Sequence, residues 1–135
     1  MMDNECREFR AGDDANGLTI ERSKSTSVIH VVGRGFWTPA VMDAHFGQLQ
    51  TSVAPARKAG LGVRMIVDLR GSDVQSPQTI DRMKVGAAGV TQQGDRMAII
   101  VGSSLAKIQM RRTIGDAQHE FFLSPEAAMK WVEAY

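Results

Sequence analysis

The chain has one cysteine, four prolines and only eight Phe, Trp and Tyr side chains among its 135 residues. Cys6 has no second thiol to pair with, so no disulfide inside the chain supports the fold. No apolar run approaches the ~20 residues that a membrane-spanning helix needs. The longest, around Val28–Val32 and Met97–Val101, have the length of strands, and membrane insertion is not expected. Met1–Arg10 is charged where a signal peptide would carry an apolar core, which makes a reducing cytoplasm the expected compartment. Charge of one sign is also missing. Sixteen Lys and Arg face fifteen Asp and Glu, a formal +1, which argues against sequence-independent nucleic-acid binding. There is no Gly-x-Ser-x-Gly elbow, His-Glu-x-x-His, Cys-x-x-Cys or Gly-rich Lys-Ser/Thr loop. His30, His45 and His119 fall on a strand, a helix and another strand with no metal-ligand spacing. The expectation is a protein with no catalytic residue, no cofactor and no metal.

What is present is organised around Val63–Gly71, Val-Arg-Met-Ile-Val-Asp-Leu-Arg-Gly, a short apolar run that reads as a buried central strand over Val63–Leu69. Before it come a candidate edge strand at Cys6–Arg10, a turn at Asp13–Gly17, and a hairpin of Leu18–Glu21 and Val28–Val32 joined by Ser23–Ser27. Gly33-Arg34-Gly35 is expected to end the second hairpin strand. Thr38-Pro39 then offers a helix cap followed by proline at the first helical position. Met42, Phe46, Leu49 and Val53 give that helix one apolar stripe, and Pro55 is expected to kink or end it.

After the central strand, Ser76-Pro77 repeats the capping device and Ile80, Met83 and Ala87 form the next stripe, with Gly86 and Gly89 expected to loosen the helix end. A strand at Arg96–Val101, a helix capped by Gly102-Ser103-Ser104, a strand at His119–Leu123 and a helix opened by Ser124-Pro125 complete the chain. Ala128, Trp131, Val132 and Tyr135 form the docking face of that last helix. Strand and helix alternate from the hairpin onward, which implies right-handed crossovers and a largely parallel sheet. The fold class is therefore α/β: one domain with a mixed, mostly parallel sheet of about five strands and about four helices. Residues 1–17 are an N-terminal segment with the candidate edge strand, and residues 18–135 the domain proper.

A strand pair, a Gly-x-Gly-aromatic turn into a first helix, then Val-Asp-Leu-Arg-Gly and a helix started by Gln-Ser-Pro resembles the STAS superfamily of sulphate-transporter and anti-sigma-factor-antagonist domains. Ile99–Lys107 and Ala127–Trp131 are similar to segments of the small stand-alone bacterial STAS-like, SEC14-like or SpoIIAA-like proteins. The resemblance covers roughly Leu18–Tyr135. It implies a non-enzymatic regulatory or protein-interaction module. In the antagonists a serine of Asp-Ser-Ser-Gly, at the start of the helix after the central strand, is phosphorylated. Ser76 stands close to that position, as the candidate phosphorylation site, within Gln75-Ser76-Pro77-Gln78 in place of the tetrapeptide.

In an open α/β sheet, ligands bind beyond the carboxyl ends of the parallel strands. Three such ends should lie side by side here, carrying Gly33–Gly35, Arg70–Asp73 and Gly102–Ser104. The candidate interaction or ligand edge is thus Arg34, Phe36, Trp37, Arg70, Ser72, Asp73, Ser76, Ser103 and Ser104. Ser76, Ser103 and Ser104 also suit plain helix capping. Trp37 suits either a staple against the first helix or an anchor for a partner. Asp68 suits pairing with an arginine better than catalysis. The expected partner is an unidentified protein, a second copy in a homodimer included. The SEC14-like resemblance implies an alternative, a carrier of a small acidic or apolar ligand. Phe36, Trp37, Met42 and Phe46 would then line the site, with Arg34 and Arg70 as anchors for an acidic head group.

Overall fold

The computed structural model describes residues 6–23 and 27–134. The elements run β1 (Cys6–Gly12), β2 (Gly17–Ser23), β3 (Val28–Gly35), α1 (Pro39–Lys58), β4 (Arg64–Ser72), α2 (Pro77–Val90), β5 (Arg96–Ile100), α3 (Ser104–Ile114), β6 (His119–Phe122) and α4 (Pro125–Glu133). One device starts every helix. Thr38, Ser76, Ser103 and Ser124 each accept a hydrogen bond from the backbone N–H three residues on, and proline follows in three of the four.

The strands form one six-stranded sheet in strict sequence order, β1 to β6. β1, β2 and β3 pair antiparallel, and β3 through β6 pair parallel. Right-handed crossovers that always step the same way along a sheet place their helices on one face. Period-2 alternation accordingly sorts the core. Ile29, Val31, Met65 and Met97 pack with Met42, Leu49 and Val53 of α1 and Met83 of α2. Ile99, Val101 and Phe121 receive Ala106, Met110 and Ile114 of α3. Their neighbours Val28, Ile66, Ala98 and Ile100 point the other way, onto Ala128 and Val132 of α4. The Arg96 guanidinium stacks 4.0 Å from the Trp131 ring and donates to its carbonyl at 2.6 Å, which fastens α4. Tyr135, assigned to the same docking face, lies outside the described residues, as do residues 24–26 of the hairpin loop.

The mixed, mostly parallel sheet is as expected, and the candidate edge strand is its sixth member: β1 pairs with β2 along its whole length, from Cys6 opposite Ser23 to Gly12 opposite Gly17. Other expectations are corrected. β3 does not stop at Val32. It continues to Gly35 with a shift of register against β4 between Val32 and Arg34. α1 runs through Pro55 to Lys58, its last turn held by the side chain of Arg57 on Asp95 and on the Val90 carbonyl. Gly86 and Gly89 lie inside α2, which ends at Val90. The Phe46 ring of α1 occupies the space a Gly86 side chain would need, and the Gly89 carbonyl accepts from Gln50 at 2.7 Å. These glycines let two helices approach.

Candidate functional site

β3, β4 and β5 are adjacent and parallel, so their carboxyl ends come together beside the N-termini of α1, α2 and α3. An open cleft of about 580 Å³ lies at this edge, bounded by Arg70, Ser72, Val74, Gly102, Ser103 and Ala106 among others. Its rim is held rigidly. The Asp73 N–H donates to the Gly35 carbonyl at 2.9 Å, and the Gln75 side-chain amide donates to that carbonyl at 2.9 Å and to Asp73 at 2.7 Å. The Gln75 amide oxygen accepts from the Trp37 N–H at 2.7 Å, and the Thr79 hydroxyl donates to the Trp37 carbonyl at 2.9 Å. Gln75 and Thr79 thereby bind the turn after β4 to the turn after β3.

Gly35 has φ +66°, in the left-handed region, and a Cβ there would run into the Ala15 carbonyl and the Asn16 side chain. That side chain accepts from the Phe36 N–H at 2.9 Å. Between these anchored segments two apolar side chains stand in solvent: Phe36 is 47% and Val74 91% exposed.

The structure divides the residues expected at this edge. Asp73 is exposed and Ser72 half-buried, its hydroxyl donating to the Leu69 carbonyl at 2.7 Å. Ser76 and Ser103 are helix caps, Ser76 also donating to the Thr79 hydroxyl at 3.1 Å, and Ser104 is the exposed first residue of α3. Trp37 is only 2% exposed. Its indole N–H donates to the carbonyls of Arg34 at 2.9 Å and Gly17 at 3.1 Å. Its ring lies over Gly33, where a Cβ would come within 2.7 Å. It is therefore a core staple, not an exposed anchor.

Arg34 turns toward the β1–β2 turn, donating to the Asp14 carbonyl at 2.8 Å and the Thr19 hydroxyl at 3.0 Å. Arg70 forks onto Asp68 at 2.7 and 3.0 Å. Those bonds hold the Asp68 carboxyl below its ordinary range, which is the structural pairing expected of it. Both arginines thus already have partners within the fold.

Two pairings had no signal in the sequence. Asp95, fully buried, is gripped by Arg57 from 38 positions away. Asp116 orients His119 through a 2.8 Å contact to Nδ1. Among the described residues, no three His, Cys, Asp or Glu side chains gather closely enough to hold a metal ion, and no helix is long and apolar enough to cross a membrane.

A mixed sheet with three crossover helices on one face and a closing helix on the other defines a single α/β domain of the SpoIIAA-like type. Comparison with solved structures agrees. The chain is similar to an uncharacterized protein of the DUF3478 family with a SpoIIAA-like fold from Shewanella loihica PV-4, at 18% identity and a TM-score of 0.63, over 98% of each chain. No family model matches the sequence and no curated protein matches it.

Proposed function

We propose that this protein is a non-enzymatic regulatory module of STAS type that works by protein interaction through the edge formed by Phe36 and the 72–76 turn. The observation that carries the proposal is Val74. A side chain 91% exposed sits on a turn whose backbone and flanking side chains are hydrogen-bonded to β3. Solvent exposure of an aliphatic group on a preorganised turn suits recognition, because little ordering entropy is lost when a partner covers it. Absence of the familiar catalytic motifs from the sequence supports the non-enzymatic part. The edge version of a ligand carrier is the weaker reading, since the two arginines that would hold an acidic head group are engaged by Asp14, Thr19 and Asp68.

The test compares partners captured from the native cell by wild type and by Val74→Asp, with Val85→Asp as control. Val85 is 72% exposed on α2 and outside this edge. Loss of a specific partner with Val74→Asp alone supports the proposal. The same partner set for folded Val74→Asp removes this edge as the working surface. Sedimentation of the same proteins shows whether the partner is a second copy of the chain.

A further inference from the structure

β1 is an open edge of the sheet: among the described residues its backbone pairs with β2 alone. All seven of its residues pair without a register shift, and no proline interrupts them. The opposite edge, β6, is only four residues long, which is itself a protection against further pairing. A longer, regular edge such as β1 is a template for another strand. We infer that β1 pairs antiparallel with β1 of a second copy of the chain, about a two-fold axis through Phe9, joining two six-stranded sheets into one. This surface is separated from the Val74 edge by β2 and β3, and the inference does not rest on the proposal made for that edge.

The register follows from the residues of the strand. Only every second residue turns its N–H and C=O toward the free side, so two copies of β1 meet about an axis that passes through a residue and not between two. An axis through Glu8 sets two glutamates face to face, and an axis through Arg10 sets two arginines face to face. Like charges directly opposite are destabilising, which is how charged edge strands ordinarily repel one another. An axis through Phe9 reverses the outcome. It puts Glu8 of each copy opposite Arg10 of the other and Phe9 opposite Phe9, and it uses every residue of the strand.

The fold leaves Glu8 short of a cation on its inner side. Within the chain Glu8 stands opposite Glu21 of β2, two carboxylates on one rung. Arg10 reaches Glu8 Oε1 at 3.2 Å and also bonds Asp14, but the Arg10 and Glu8 side chains are 51% and 43% exposed, so these contacts are weak and leave both groups accessible. In the pair, Glu8 lies between Glu21 on one side and the second copy's Arg10 on the other. The opposite face of the strand is apolar. Phe9 is half-buried against the core under α1, beside an open groove of about 610 Å³ lined by Ile20, Thr51, Ser52 and Pro55. The two-fold axis stands perpendicular to the sheet, so both copies carry α1 on the same side and the two Phe9 rings meet at the junction, an aromatic pair at cross-strand distance.

Sedimentation of the full-length protein distinguishes this pairing from any other. Wild type should sediment as a dimer at micromolar concentration, and as nothing larger, because a two-fold contact closes on itself. Glu8→Arg and Arg10→Glu each place like charges opposite one another on two rungs, so each alone should weaken the dimer at least ~10-fold. Glu8→Arg combined with Arg10→Glu exchanges the charges and should restore it. An equimolar mixture of the two single variants should form heterodimers, since one supplies only bases and the other only acids to the rungs beside Phe9. A wild type that stays monomeric, a single variant that dimerises as wild type does, a folded double variant that does not dimerise, or a mixture without heterodimers overturns the inference. If a single variant fails to fold, isotope-filtered NOEs between labelled and unlabelled wild-type copies decide: contacts from Glu8 to Arg10 across the copies support the pairing, and their absence overturns it.

Discussion

Arg57, in the last turn of α1, holds the carboxylate of Asp95 with two hydrogen bonds of 2.7 Å, and none of the Asp95 side chain is exposed. Asp95 also accepts from the Val63 and Gln92 N–H groups at 2.8 Å, and Arg57 donates to the Val90 carbonyl at 2.8 Å. One pair thus joins the ends of α1 and α2 to the starts of β4 and β5. Burial alone would push the Asp95 carboxyl up, but Arg57 and the two N–H donors outweigh it and hold it down. Removing Arg57 leaves the buried Asp95 carboxylate with only its two N–H donors, and removing Asp95 leaves Arg57 with the Val90 carbonyl and those two N–H groups without an acceptor. Asp95→Ala and Arg57→Ala are each expected to lose about 3–5 kcal/mol in urea unfolding, with the double variant losing far less than the sum.

His45 makes stability depend on pH in a separate window. Its pKa is about 4 in the folded chain against an ordinary 6.5, so between these values the unfolded chain takes up a proton that the folded chain refuses. Stability is therefore flat above pH 6.5 and falls as pH drops toward 4, by about 3 kcal/mol in all at ~1.4 kcal/mol per unit. The lowered carboxyls of Asp68, Asp95, Asp116 and Glu120 act below that, their stabilisation present above pH ~4 and lost under it. Unfolding of His45→Leu measured from pH 7 to 4.5 should show the upper slope flattened.

Two glycines should respond in opposite ways to a methyl group. At Gly35 the positive φ costs about 1–2 kcal/mol and the added Cβ meets the backbone of Ala15, so Gly35→Ala should lose at least ~2 kcal/mol. Gly47 lies within α1 with nothing inside 4 Å of the added carbon, and Gly47→Ala should gain up to ~1 kcal/mol. Thermal or urea denaturation of the two variants checks both signs.

Ser76→Ala removes the cap of α2, whose hydroxyl accepts from the Thr79 N–H at 3.2 Å. A loss of about 1 kcal/mol is expected, with faster amide exchange localised at Thr79.

Much of this architecture could be read from residue order because its signals are local. Thr38-Pro39, Ser76-Pro77 and Ser124-Pro125 mark helix starts by their own chemistry, and the run into Leu69 needs burial on both faces. Signals that depend on a distant partner were not visible. Pro55 is a helix breaker by itself, yet α1 passes it because Arg57 finds Asp95 across 38 positions. Gly86 and Gly89 look like a frayed end until Phe46 and Gln50 of another helix are placed beside them. Trp37 could be staple or anchor on its neighbours alone, and only the carbonyls of Gly17 and Arg34 decide. His45 is a polar residue on the apolar stripe of Met42 and Leu49, and only the elements packed around α1 bury it to 3% exposure.

The strictly sequential order of the strands also governs how the chain can assemble as it is made. Each strand hydrogen-bonds to the one synthesised just before it, so no pairing waits for a remote segment and the sheet can grow at one edge as the ribosome delivers it. The exception is α4. Until its nine residues dock, Val28, Ile66, Ala98 and Ile100 form an uncovered apolar face on the sheet, so a folding intermediate that lacks α4 is the species most exposed to aggregation and to chaperones.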